Sequence, residues 1–219
     1  MKNNSIARMV FDNAKAAIDS AYGQAMAWKR FKLTQSFLRM EVALIAGATN
    51  FSFNVLTNQA GSAGIFNTEQ RLNLQDTFVP AQIGFFVIKP SSATDTTAKL
   101  NTYLNPSLFT NAVAMTGLYN GVFSIMVNNN NLVPAWDLWQ HWKVSQTQQI
   151  AATAAGAVLD QYDGCEDSMV AMEPNVALIG SKNNVLTLQL KAGLATVDAN
   201  TRVVLFMRGV LAQNSTVVS

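Results

Sequence analysis

The chain has 219 residues, of which 49% are apolar and only 13% are charged, and its formal net charge is +2. This length suits one domain with a sizeable core, the near-neutral balance gives no indication of nucleic-acid binding by itself, and one cysteine, Cys165, excludes a disulfide within the chain. So few charges give little protection against self-association, and we interpret this as a property that serves assembly.

The first 34 residues carry a helical pattern that the rest of the chain lacks. Ser5 can cap a helix, and the sequence predicts an amphipathic helix from there to Phe31, which Gly23 can break because a glycine inside a helix costs about 1 kcal/mol relative to alanine. We therefore expect residues 1–34 to form a helical arm. The apolar positions recur in steps of four: Ile6, Val10, Ala14, Ile18, Tyr22 and Met26.

The end of this arm is basic, with Lys29, Arg30 and Lys32 next to Trp28. Positive charge at a helix C-terminus complements the negative pole of the helix. The same residues could contact a neighbouring subunit, or phosphates of nucleic acid or of a membrane surface. Seven basic residues among the first forty fall short of a dedicated nucleic-acid arm, so we prefer the subunit contact.

Beyond residue 34 the apolar period changes from nearly four to two, which predicts strands. Turns rich in Gly, Asn, Asp and Pro separate these runs, so residues 35–219 are predicted to form a single β-sandwich. The second strand would run antiparallel to the first if the turn between them is a hairpin. The last run contains Val203–Met207, which is apolar on both faces and indicates a central strand. The main predicted strands are 37–44, 51–56, 78–89, 121–128, 175–179, 185–190 and 201–211.

Two short segments between predicted strands have distinctive compositions. Asn128–Asn131 predicts a hairpin tip, because asparagine tolerates left-handed backbone angles. Residues 160–167 concentrate four carboxylates, and this loop is the best candidate for Ca²⁺, although it lacks regular ligand spacing. We favour a solvated acidic loop there and predict no metal site.

Trp136, Trp139 and Trp142 follow one another at a spacing of three, with His141 between the last two. Such an aromatic contact cluster could bind a sugar or stack on nucleobases. We favour a short helix or turn that buries the indoles under a loop or at a subunit contact. His141 is interpreted as a hydrogen-bonded residue of an interface and not as a metal ligand.

No catalytic motif is present in the sequence. The chain has no Gly-x-Ser-x-Gly, no glycine-rich phosphate loop, no His-Glu-x-x-His and no Cys-x-x-Cys. Cys165 stands beside Glu166 and Asp167, whose charges disfavour a thiolate nucleophile. We therefore predict a protein without enzymatic activity and without a cofactor.

A helical arm with basic residues is followed by about eight strands, ending in Pro174–Gly180 and Thr201–Gly209. This order of elements resembles the jelly-roll capsid proteins of icosahedral viruses, and the neutral texture rich in Asn, Thr and Ala is similar to structural proteins of phages that infect Bacteroidetes. The resemblance implies an all-β, jelly-roll-type antiparallel β-sandwich, with an arm that reaches the shell interior or a neighbour. It also implies that Lys29, Arg30 and Lys32 face inward or a subunit junction.

The expected function is that of a virion structural protein, a capsid subunit that self-assembles into an icosahedral shell. The alternatives are a phage tail, spike or cement component, or a carbohydrate-binding β-sandwich module. The expected partners are copies of the chain itself, other virion proteins and, weakly, packaged nucleic acid. The sequence contains no run of about 18 apolar residues, so we predict no membrane span. We expect synthesis in the host cytoplasm and a final location in the virion.

Overall fold

The computed structural model describes residues 2–57, 66–144, 168–173 and 175–214. The described part consists of a long helix followed by strands, with one short α-helix between the strands and three short 3₁₀ helices at Ala27–Arg30, Thr116–Asn120 and Leu138–His141. The other elements are α1 (Lys2–Tyr22), β1 (Phe31–Ala43), β2 (Asn50–Phe53), β3 (Thr77–Ile88), α2 (Ala112–Met115), β4 (Val122–Val127), β5 (Asn130–Asp137), β6 (Val170–Ala171), β7 (Leu178–Ile179), β8 (Asn184–Gln189) and β9 (Arg202–Asn214).

These strands form two antiparallel sheets. The first sheet has the order β1-β9-β3-β6, and β7 also pairs with β3. The second sheet has the order β2-β8-β4-β5. The pairing is nested, because the first strand of the chain pairs with the last, β2 pairs with β8, β3 pairs with β6 and β7, and β4 pairs with β5.

The main core lies between the two sheets. Phe85 of the first sheet packs against Phe53 and Phe123 of the second, with ring centroids 6.2 and 5.0 Å apart and edge-to-face angles. Alternating residues supply this core because successive side chains of a strand point to opposite faces. The all-β prediction is confirmed at the level of two antiparallel sheets built from alternating apolar residues.

β9 is buried on both faces, as its sequence predicted. It lies between β1 and β3, with Leu205 directed into the main core and Val210 directed to the outer face of the first sheet. There α1 covers it with Ala14 and Ile18, whose side chains are almost fully buried. The helix of the predicted arm therefore packs on the sheet of its own chain.

The helix ends earlier than the sequence predicted. It stops at Tyr22, and Gly23 follows with φ +62°, a left-handed conformation that ends a helix readily at glycine. The predicted break near Gly23 is thus confirmed, whereas helix continuing to Phe31 was wrong. Asp19 fixes the turn by accepting hydrogen bonds from the backbone N–H groups of Met26 and Trp28 at 3.0 and 3.2 Å.

Strand β1 begins at Phe31, so the predicted boundary between residues 1–34 and 35–219 falls inside this strand, and the division into an arm and a sandwich domain stays a prediction. The turn between the first two strands is not a hairpin, because β1 and β2 belong to different sheets. Gly47, with φ +79°, lies in the connection, where its N–H donates to the carbonyl of Leu194, so the chain crosses to the second sheet instead of turning back.

The hairpin tip at the asparagine run is confirmed. Asn128 and Asn129 have φ values of +50° and +62° and join β4 to β5. Two consecutive left-handed residues match the right-handed twist of the flanking strands.

Candidate interaction surfaces

The three predicted basic residues lie together at one exposed corner of the molecule. Lys29 and Arg30 end the short 3₁₀ helix that precedes β1, and Lys32 is the second residue of that strand; all three are exposed. The Nζ atoms of Lys15 and Lys29 lie 5.0 and 6.0 Å from the ring centroid of Trp28. The ring thereby holds two ammonium groups near this corner, which can contact carboxylates or phosphates.

The three tryptophans do not form one cluster. Trp136 is paired with His141, since its indole N–H donates to Nε2 of His141 at 2.8 Å. His141 is fully buried, and its Nδ1 donates to the carbonyl of Ser168 at 2.9 Å. Burial lowers the pKa of His141, against the opposing effect of the bond to Ser168. The neutral ring therefore fixes the 3₁₀ helix to the segment that leads into β6.

The other two tryptophans form a stacked pair. The ring centroids of Trp139 and Trp142 lie 5.8 Å apart and the ring planes make an angle of 14°. Trp142 and Tyr119 pack edge to face, with ring centroids 4.5 Å apart. Trp139 is 57% exposed. Asp137 accepts from the backbone N–H of Trp139 at 3.0 Å and begins the 3₁₀ helix that presents the ring. A supported, exposed indole of this kind can stack on a flat or apolar ligand surface.

A groove of about 790 Å³ crosses the outer face of the first sheet beside α1. Phe37 and Phe206 stack in it with centroids 5.3 Å apart, and the guanidinium of Arg208 lies 5.8 Å from the ring of Phe206. Met9 of α1 contributes to its lining. Sequence reasoning missed this surface, although a large apolar residue at an outward position of β1 could have indicated it: Phe37 is 44% exposed.

The outer face of the second sheet carries no charged side chain in β2, β4 and β8. Its rows follow the register of the three strands, so that Ser52, Thr187 and Ser124 lie side by side. The neighbouring rows of these three strands are also neutral, although the row that contains Val122 ends at the exposed Asp137 of β5, and every outward residue of the three strands is half-buried or exposed. These residues are Asn50, Ser52, Val122, Ser124, Met126, Val185, Thr187 and Gln189. A flat neutral surface requires little desolvation of charge when another protein covers it.

A buried ionic network, which sequence reasoning missed, joins the loops to the first sheet. Glu41 accepts hydrogen bonds from Arg39 and Arg202, and Glu69 pairs with Arg71 at 2.9 Å. The backbone N–H of Glu41 donates to Glu69 at 2.7 Å and links the two pairs. Every contact here is internal, so this network holds the fold together and offers no open site.

Among the described residues there is no group of His, Cys, Asp and Glu that could hold a metal ion. The predicted acidic loop 160–167 lies outside the residues that the structure describes. Neither described helix has the length and apolarity needed to cross a membrane. No model of a known protein family matches the chain, and no curated protein is significantly similar to it in sequence.

Proposed function

We propose that this chain is a structural subunit that assembles with many copies of itself, as the jelly-roll capsid protein of an icosahedral phage. The nested strand pairing carries this proposal. A jelly roll arises when an antiparallel ribbon of four strand pairs folds over into two sheets, so that the first strand pairs with the last and the innermost strands form a hairpin. With β6 and β7 taken as one interrupted strand, the four pairs of this chain follow that scheme.

The surfaces support assembly in a second way. Interface centres are depleted in charged residues, and the outer face of β2, β4 and β8 has none. Weak contacts repeated among many identical neighbours reinforce one another, because each closed ring makes later contacts intramolecular. A subunit of this kind needs no single large interface.

In this proposal residues 1–34 form an arm that contacts a neighbouring subunit. α1 buries Ala14 and Ile18 on its own sheet, but other apolar side chains of the same segment stay in solvent: Met9 is 56% exposed and Met26 is 59% exposed. The exposed basic residues Lys29 and Lys32 lie at the end of the segment and would face a subunit junction or the packaged genome.

The test is the size of the purified protein, measured by light scattering and negative-stain microscopy. We expect closed particles of megadalton mass. Thr187→Lys places a charge at the centre of the neutral face without touching the core and should prevent assembly, whereas Thr187→Ser should assemble normally. A wild-type protein that stays monomeric over a range of salt and protein concentration would contradict the proposal.

One observation favours a second function, the binding of carbohydrate. Trp139 presents an exposed indole that is supported from behind by Trp142, and sugar rings stack on surfaces of this type. A glycan array would show binding that is lost in Trp139→Ala and kept in Trp139→Phe. Absence of binding by the wild-type chain would remove this candidate.

A further inference from the structure

The outer edge of β1 has backbone groups that point away from the sheet. The N–H and C=O of Arg39 both bond to Gln70, at 2.9 Å each, on the side opposite to β9. Both groups of one residue in an antiparallel strand point the same way, and the direction alternates along the strand. Leu33, Gln35 and Phe37 therefore direct their N–H and C=O groups to the same side as Arg39.

This free edge is short and bounded. Within the described ranges, no hydrogen bond uses the backbone groups of Leu33, Gln35 or Phe37 on that side. At one end the N–H of Phe31 donates to the carbonyl of Trp28, and at the other Arg39 is occupied by Gln70. Three alternate residues thus remain, with Gln35 at their centre.

The free stretch of β1, residues 33–37, has none of the features that usually protect an edge strand. Natural edge strands are usually blunted by proline, by a bulge or by several charges. β1 contains no proline, and its register with β9 runs without a shift from Phe31 to Ala43. Its charged residues, Lys32, Arg39 and Glu41, lie outside residues 33–37. Gln35 is exposed and Phe37 is 44% exposed, so the edge is accessible from solvent.

We propose that two copies of the chain join edge to edge through β1, antiparallel, about a twofold axis at Gln35. This inference rests on the proposed assembly function and names one of its contacts. In this register Gln35 faces Gln35 of the second copy, and Leu33 faces its Phe37. Each of the three free residues exchanges both backbone groups with the residue that it faces, and the first sheet continues from one copy into the other.

The side chains agree with this register. Leu33 and Phe37 lie on the outer face of the sheet, so the facing pairs bring together apolar groups on both sides of the axis, and the two Gln35 amides can bond to each other. Lys32 faces Leu38, so no two like charges lie directly opposite, and the pairing ends at Leu33 and Phe37 because Gln70 occupies the next place beside Arg39. Because Gln35 and Phe37 also line the groove beside α1, the grooves of the two copies would meet at the axis.

A proline at position 35 tests the pairing. Gln35→Pro removes an N–H that points away from β9, and proline is tolerated on the solvent side of an edge strand, so the ladder with β9 is kept. We expect dimer association to weaken by about 10-fold or more, with the circular dichroism spectrum and melting temperature little changed. Gln35→Thr keeps the N–H and should associate as the wild type does. Unchanged association of folded Gln35→Pro would overturn the inference.

Cysteine crosslinking tests the register without relying on a proline variant. With Cys165 replaced by serine, Gln35→Cys should form a disulfide dimer under mild oxidation, since facing residues of a hydrogen-bonded pair lie about 5.5 Å apart between Cα atoms. Leu33→Cys alone should not crosslink, but a mixture of Leu33→Cys and Phe37→Cys should. Crosslinks of Leu33→Cys alone, or none from Gln35→Cys, would overturn the proposed pairing.

These outcomes separate this inference from the proposed function. Particles that form equally well with Gln35→Pro would overturn the β1 contact and leave the assembly function standing. A wild-type chain that stops at a dimer, which Gln35→Pro dissociates, would support the contact and contradict the shell. A strictly monomeric wild-type chain would overturn both.

Discussion

The substitution Glu41→Gln tests whether the buried ionic network stabilises the fold. The side chain of Glu41 is fully buried, and its carboxylate bonds to Nε of Arg39 at 2.9 Å, to Nη1 of Arg202 at 3.0 Å and to the hydroxyl of Thr68. Arg202 is itself only 3% exposed. Glutamine keeps the shape of the side chain and one acceptor, but it removes the negative charge between two guanidinium groups.

The expected fall in the free energy of unfolding depends on the contacts that Arg202 keeps in the variant. Breaking a buried ion pair by removing one partner costs about 3–5 kcal/mol, because the other charge stays buried without compensation. Arg202 would still donate to the carbonyl of Ala93 at 2.8 Å and lie 3.6 Å over the ring of Phe66. These contacts compensate part of its charge, so we expect the free energy of unfolding to fall by about 3 kcal/mol.

Urea denaturation of the dissociated subunit measures this change, with an unaltered m-value as the sign that the unfolded state is the same. Asp12→Asn is the matched control, because Asp12 pairs with Lys15 at 2.9 Å on the exposed surface of α1, where ion pairs contribute little. We expect no measurable change in that variant. If Glu41→Gln is as stable as Asp12→Asn, the charge of Glu41 does not stabilise the fold.

Three other predictions concern pH, backbone approach and charge. Burial lowers the pKa of His141 below 6.5, so on acidification the histidine is protonated more readily in the unfolded chain than in the folded one, and stability should fall as the pH drops below about 6.5. Thermal unfolding of His141→Gln should lack this part of the pH dependence. The same pH dependence in His141→Gln and in the wild type would contradict the prediction. Gly209→Ala would place a Cβ against the backbone of β3 and should lower the free energy of unfolding, measured by urea denaturation, by about 2 kcal/mol. Gly117→Ala is the control and should be nearly neutral, because the nearest atom to its Cβ would be a side-chain atom 3.4 Å away. If the basic corner contacts phosphates, binding of single-stranded DNA should weaken sharply with added salt and further in the double variant Lys29→Gln/Lys32→Gln; no binding at low salt would exclude this role.

Local alternation was enough to find most strands. In β4 and β8 every second residue enters the core, and Phe123 and Leu188 are completely buried as the period of two predicts. The start of β1 was missed because the four-residue apolar repeat of α1 extends as far as Met26 in the sequence. Gly23 adopts a left-handed conformation and ends that helix, so the apolar repeat beyond Gly23 does not correspond to a helix.

Long-range pairing had no signal in the sequence. Glu41 and Arg202 are 161 residues apart, and neither strand by itself indicates that they pair until β1 and β9 lie side by side. The prediction of one tryptophan cluster was wrong for a related reason. Equal spacing suggested one cluster, but Trp136 belongs to β5, whereas Trp139 lies in the following 3₁₀ helix, so a change of backbone geometry between them turns the rings to different partners.

The two sheets differ in what covers their outer faces, and this difference bears on how copies would meet. α1 covers one end of the first sheet, and Ala98 and Leu100 pack over Phe86 and Val204 at the other. On the outer face of the second sheet, the outward residues of β2, β4 and β8 are half-buried or exposed. A neutral half-buried face on one sheet and a free edge on the other lie on different sides of the molecule, so contacts through both would be compatible in one assembly. Two distinct contacts are what a closed shell needs, because a single twofold contact stops at a dimer.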